Sequence, residues 1–312
     1  MAIPTLGSEK IPIRTIGKNF IMSFRPLSLW ASIFSVLIGW AASWRGTGLF
    51  ARQIYRFHNM AILGLCLILA VSLQIACNFA NDYYDIKSGL DYNRPKEQED
   101  QARTTLEPKS YLRRFIIFLL LAILSGISAV VLSNIVIGGK IIMLFLGALC
   151  LFAVWGYSGS KHPYGYQGLG EIMSFAFFGP VSVVGTYYLL GSEKRLFNGH
   201  DFSVVLGASI AYGLVVAAML MIDNLRDLKS DSENGKITLP FYLGKNFAKI
   251  VYFVILILAA ILGGFVMPNN LIILPVIIIV SGFQIYNFTQ DNWKSAFKMH
   301  ALIGILFGLY LL

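Results

Sequence analysis

Two segments of this 312-residue chain place carboxylates at helical spacing, each at the end of an apolar run. In the first, Asn78, Asp82 and Asp85 stand at i, i+4 and i+7. On a helix these side chains fall within about 60° of one another, so one face carries an amide and two carboxylates. In the second, Asp223, Asp227 and Asp231 stand at i, i+4 and i+8 and share a stripe if the helix continues. Like charges at this spacing repel, and carboxylates beside hydrocarbon are costly, so the clusters call for a compensating cation. Oxygen-only ligands favour Mg²⁺, which is typically held by one or two carboxylates together with phosphate oxygens. Interleaved Lys87, Arg103, Arg226 and Lys236 suit the phosphate itself. The pattern implies two Mg²⁺ ions, one per cluster, bridged by a diphosphate.

The elements that must position these groups are membrane helices. The chain is 56% hydrophobic and 13% charged, against roughly a quarter charged in a soluble domain, and its mean hydropathy is +0.68. The apolar residues come in long runs without strand-like alternation, which points to transmembrane helices rather than barrel strands. We expect an all-α integral membrane protein with about nine spans, near 27–44, 59–81, 112–133, 140–157, 168–190, 203–224, 248–266, 271–289 and 295–312. Residues 1–24 form an N-terminal segment and 25–312 a single multi-pass domain. With the N-terminus cytoplasmic, 19 of the 25 Lys and Arg residues fall on the cytoplasmic side, as the positive-inside rule requires. The two acidic segments then share that side, leading into the two longest and most charged loops, Lys87–Tyr111 and Leu225–Phe247. An apolar helix feeding an acidic segment, repeated four helices later, reads as a weak internal repeat.

The net charge of +9 is spread over connecting loops, which fits anchoring at anionic headgroups and not a nucleic-acid surface. Cys66, Cys77 and Cys150 lie inside apolar runs with neither metal-ligand nor disulfide spacing and read as small hydrophobes. The first 25 residues are polar and basic with no cleavable signal pattern, so the first span is expected to direct insertion into the cell (inner) membrane.

The two segments resemble the signature motifs of the UbiA superfamily of membrane prenyltransferases, most nearly those of the branch that acts on 1,4-dihydroxy-2-naphthoate. The first motif is matched by Asn78-x-x-Asn81-Asp82-x-x-Asp85-x-x-x-Gly89-x-Asp91. The other is matched by Asn224-x-Arg226-Asp227-x-x-x-Asp231-x-x-x-Gly235-Lys236-x-Thr238-Leu239. Arg25-Pro26 before the first helix is similar, as are Tyr164 to Glu171, Phe177-Phe178-Gly179 and Gly185-Thr186-Tyr187-Tyr188. The likeness runs from about residue 20 to the end. The chain departs from the branch at Asp223, where asparagine is usual, and matches it loosely over Glu99–Thr105.

The resemblance implies a ring of helices around a central cavity, with the acidic loops at its cytoplasmic end and a polyprenyl tail lying between helices, open to lipid. It implies a polyprenyl diphosphate donor, an aromatic acceptor and transfer through an allylic cation, with loss of the acceptor's carboxyl as CO₂ in the naphthoate branch. Asn78, Asp82 and Asp85 would serve one metal, and Asn224, Asp227 and Asp231, with Asp223, the other. Lys87, Arg103, Arg226 and Lys236 would take the diphosphate. Tyr157, Lys161 and Tyr166 would hold the acceptor or shield the cation, since a tyrosine face stabilises nearby positive charge. Arg25, Asn81 and Asp91 complete the motifs. Glu171 fits an acceptor-side group or a carboxylate favoured at a helix N-terminus. Acceptors such as 4-hydroxybenzoate, a chlorophyllide or a haem stay open. A transporter is the rival class, but transporter sites lie near the midplane on broken helices, whereas these acids stand at helix ends.

Overall fold

The computed structural model describes residues 24–44, 56–88, 108–191, 199–267 and most of 282–312. Among these residues the chain is helical, and its only strand-like pairing is an isolated bridge between Gln167 and Ile237. We number the helices α1 (Leu29–Trp44), α2 (Arg56–Ser88), α3 (Pro108–Leu132), α4 (Ile137–Ser158), α5 (Gly170–Leu190), α6 (Gly199–Glu233), α7 (Leu239–Leu243), α8 (Lys245–Val266) and α9 (Trp293–Leu311). A single 3₁₀ turn, Pro26–Ser28, leads into α1, and another, Tyr164–Tyr166, precedes α5.

Among the described residues six helices are long and apolar enough to cross a bilayer: α2, α3, α4, α5, α6 and α8. Two shorter apolar helices, Leu29–Ser43 and Ser295–Leu311, match the expected first and last spans. Most of the expected span 271–289 lies outside the described residues, and its described positions 282–284 and 286–288 are helical.

Two helices are much longer than expected. α2 runs to Ser88 and α6 to Glu233, so the stretches read as the beginnings of charged loops are continuations of the spans. At 1.5 Å per residue, α2 and α6 are each about 50 Å long, well beyond the roughly 30 Å hydrocarbon thickness. Hydropathy marks where a helix leaves the apolar layer. The intrahelical hydrogen bonds continue unchanged into water, carrying both acidic clusters on helix.

α6 is the hub. Of its most apolar window 72% is buried inside the protein, against 22% for α3, 17% for α4 and 22% for α8, which turn their apolar surface outward. α1, α5, α8 and α9 pack around α6, while α2 packs chiefly on α3 and also on α1 and α4. Close packing of α5 on α6 depends on Gly179: a Cβ there would sit 3.0 Å from Gly213 Cα. Pro180 follows within a π-helical stretch, Phe177–Val184, which accommodates the hydrogen bond that proline cannot donate.

Candidate functional site

The two acidic segments meet at one end of a cavity of about 730 Å³. Arg25, Asn78, Asn81, Asp223 and Arg226 line its polar end, drawn from the turn before α1, from α2 and from α6. Away from that end the walls are mainly apolar, with Ser35, Gln74, Ser182 and Thr186 among the lining, and all three cysteines lie on them. Ile127 on α3 and Leu144 on α4 line the cavity yet are 47% and 46% exposed, so it reaches the lipid-facing surface between these helices.

On α2, the expected face forms. Asn78, Asn81, Asp82 and Asp85 are all buried. Asp82 pairs with Arg25, the one described non-glycine residue with positive φ (51°). Ser28 anchors that conformation by donating its backbone N–H and its hydroxyl to the Arg25 carbonyl, each at 2.9 Å. Burial opposes the charge on Arg25, but Asp82, Asp223 and Asp85 outweigh it and raise its pKa further. Arg25 therefore lies in the field of both clusters. Asp85 accepts from the Tyr166 hydroxyl and from Asn81 Nδ2 at 3.2 Å, and Asn81 Oδ1 accepts from the Ser158 hydroxyl at 3.0 Å. Lys87 is exposed in the last turn of α2. Asp91 and Arg103 lie outside the described residues.

On α6, Arg226 donates through Nε and Nη2 to both oxygens of Asp227, each at 2.8 Å, and its Nη1 stands 3.0 Å from Asp223 Oδ1. Asn224 turns away from the cavity lining and donates from Nδ2 to Glu171 Oε1 at 2.8 Å, in the first turn of α5. At the end of α6, Gly235 takes φ +80°, a conformation costly for a residue with a Cβ. The turn lets the Lys236 N–H return to the Asp231 carbonyl at 2.9 Å and sets its ammonium 3.4 Å from Asp231 Oδ2. Asp231 and Lys236 are both buried.

The loop between α4 and α5 ties the halves together. The Tyr166 hydroxyl serves Asp85 on α2, its ring lies 5.4 Å from Lys236 Nζ, and its carbonyl accepts the Ile237 N–H at 3.1 Å. Tyr157 lines the cavity, whereas Lys161 is exposed and outside the lining. The geometry adds Ser158 to the site and places the already expected Glu171, buried, against Asn224. No sequence signal marks Ser158. For Glu171 the signal is an acid beside an apolar run, which a helix N-terminus also explains.

Residues 32–306 match the model of the UbiA prenyltransferase family. The chain belongs to this family. Relatives include the 1,4-dihydroxy-2-naphthoate octaprenyltransferase of Mycobacterium tuberculosis, 32% identical over 245 residues, covering 78% of this chain and 76% of that protein. The Escherichia coli protein of the same name is 35% identical over 230 residues, 72% of this chain and 68% of its own length. Among solved structures, a UbiA homolog from Aeropyrum pernix superposes with a TM-score of 0.59 at 15% identity, covering 91% of this chain and 96% of that one. A UbiA homolog from Archaeoglobus fulgidus bound to GPP and Mg²⁺ does so with 0.57 at 13% identity, covering 94% and 99%. These two likenesses establish the fold. The chain is thus a UbiA-fold, multi-pass membrane prenyltransferase, and the expected enzyme class stands against the transporter reading.

Proposed function

We propose that this UbiA-family enzyme transfers a polyprenyl group from a polyprenyl diphosphate to 1,4-dihydroxy-2-naphthoate in an Mg²⁺-dependent reaction, releasing diphosphate and CO₂ and giving demethylmenaquinol, the reduced form of demethylmenaquinone. The observation that carries the acceptor is the 32–35% identity to two enzymes named for that substrate, over two thirds or more of each chain. The proposed setting is the inner membrane, with the N-terminus and the polar end of the cavity facing the cytoplasm, in line with the distribution of basic residues.

The donor set fits Mg²⁺. Among the described residues the polar end offers amide and carboxylate oxygens and no imidazole. Asp82 Oδ2 is buried without a hydrogen-bond partner, as a ligand oxygen would be, and the Asn78 Nδ2 amide, also buried and unpaired, is a donor suited to a water or phosphate oxygen. Among the described residues no three His, Cys, Asp or Glu side chains gather as a metal site by themselves, which suits an ion that takes one or two carboxylates and completes its shell with water and phosphate. Asn78, Asp82 and Asp85 are the candidates to hold one ion, and Asn224, Asp227 and Asp231, with Asp223, those for the other, one or two carboxylates reaching each ion. When bound, Mg²⁺ supplies charge neutralisation of the diphosphate as it leaves.

The protein's own groups do the rest. Arg25, Arg226 and Lys236, now occupied with carboxylates, take the diphosphate oxygens, with Lys87 and Arg103 as further candidates. Stabilising charge that develops on the leaving group is where preorganised donors lower a barrier most. The C–O bond breaks with its electron pair going to diphosphate. The ring carbon that bears the carboxyl then attacks the allylic cation, and the carboxyl departs as CO₂. Tyr157, at the cavity wall, offers a ring face to the cation, while the apolar walls exclude water that would otherwise capture it. Tyr166 orients Asp85 through its hydroxyl, and Lys161 is left to meet the acceptor's carboxylate on entry.

The test is transfer by the purified protein in detergent, with polyprenyl diphosphate, 1,4-dihydroxy-2-naphthoate and Mg²⁺, read by chromatography and mass spectrometry. The expected result is prenylated product that disappears with EDTA and returns with excess Mg²⁺. Product only with 4-hydroxybenzoate would overturn the acceptor. No transfer to any aromatic acceptor by folded protein would overturn the reaction.

A further inference from the structure

The cavity's outer half carries a feature that bears on which donors the enzyme accepts. Along α4, Met143, Gly147, Cys150, Val154 and Tyr157 all line the cavity, at the spacing of one helical face. Gly147 sits in the middle of that stripe. It is the one residue of the five with no side chain, and it is exposed. A Cβ built on it meets no atom within 4 Å. Its neighbour along the wall, Leu144, and Ile127 across the gap on α3 both line the cavity while about half exposed. Gly147 therefore stands where the cavity passes between α3 and α4 to the lipid-facing surface. Ten residues separate it from Tyr157, about 15 Å along the helix axis.

We infer that Gly147 is a specificity-determining position that keeps the passage between α3 and α4 open, so that a long prenyl tail can run from the polar end out into the bilayer. This rests on the prenyl-transfer reading above. A short allylic diphosphate, with its head among Arg25, Asn78 and Arg226, ends before the passage. A tail of many isoprene units must thread it. A large side chain at 147 would fill the passage and force the tail to fold back inside a cavity of about 730 Å³, where it displaces acceptor or costs conformational freedom.

The experiment compares wild type, Gly147→Ala, Gly147→Phe and Gly138→Phe across geranyl, farnesyl and octaprenyl diphosphates, reading kcat/KM for each. Gly138 is the control: it lies on the same helix with open space at its Cβ but outside the cavity lining. Gly147→Phe should lower octaprenyl transfer by about tenfold or more, the order expected when a pocket rejects a poorly fitting apolar group. It should leave geranyl transfer within about twofold of wild type, so that the short donor itself reports a folded, competent enzyme. Gly147→Ala should fall between, and Gly138→Phe should match wild type for all three donors. Equal effects of Gly147→Phe on all chain lengths, or no effect on any, would overturn the inference while leaving the reaction intact. Wild-type protein that transferred none of the three would overturn the reaction itself, and this inference with it.

Discussion

The two acidic segments have similar spacing but are held in opposite ways. The carboxylates of α2 are almost wholly buried, Asp82 at 4% and Asp85 at 1% exposure. Their partners come from elsewhere in the chain: Arg25, 57 residues away, and Tyr166, 81 residues away. On α6, the side chains of Asp223 and Asp227 keep 26% and 23% exposure, and both pair with Arg226 of the same helix. The first segment is thus part of the framework, whereas the two partly exposed acids of the second share an ion-pair partner on their own helix and can exchange it at little structural cost. α6 is instead fixed by its buried members, Asn224 on Glu171 and Asp231 on Lys236. The contrast suggests a division of labour in which one half presents a fixed set of ligands and the other closes onto the diphosphate.

That contrast predicts a descending series of stability losses, measurable by thermal or denaturant unfolding in detergent. Asp82→Ala should cost most, about 3 kcal/mol, because it removes the partner of the largely buried Arg25 guanidinium, whose side chain is 21% exposed. If the loss were below about 1 kcal/mol, the first segment would not be framework. Glu171→Ala should follow at about 2 kcal/mol by leaving the Asn224 amide buried and unpaired, and Glu171→Gln, which still presents an acceptor, should recover much of it. Tyr166→Phe should cost about 1 kcal/mol by removing one hydrogen bond from Asp85 while keeping the ring against Lys236. It should also raise the Mg²⁺ concentration needed for half-maximal transfer. Asp227→Asn should come last, within about 0.5 kcal/mol of wild type, since its ion pair is partly solvated and local. A large loss there would erase the distinction between the two halves.

Much of this is legible in the amino-acid sequence, for physical reasons. Long apolar runs can cross a bilayer only as self-satisfied helices, so the eight observed apolar helices fall close to their expected places. Helical spacing alone puts Asn78, Asp82 and Asp85 on one face. What escapes the sequence is what depends on distant partners. Nothing local marks Arg25 as the companion of Asp82, Ser158 as that of Asn81, or Glu171 as that of Asn224. The ends of α2 and α6 escape it too, because hydropathy follows the membrane boundary and not the hydrogen-bond ladder. The short helix Leu239–Leu243 carries too few residues for any period to show.

The central claim is that both halves act on one diphosphate, and Asp227→Asn tests it most directly because its fold should survive. The measurement is the initial rate of naphthoate prenylation at saturating Mg²⁺, beside an unfolding curve of the same sample. We expect a near wild-type curve and a rate lowered about a hundredfold or more, the scale of losing one preorganised electrostatic contact at a reacting centre. A rate near wild type in that stable protein would contradict the account and leave the second segment as a solvated helix end.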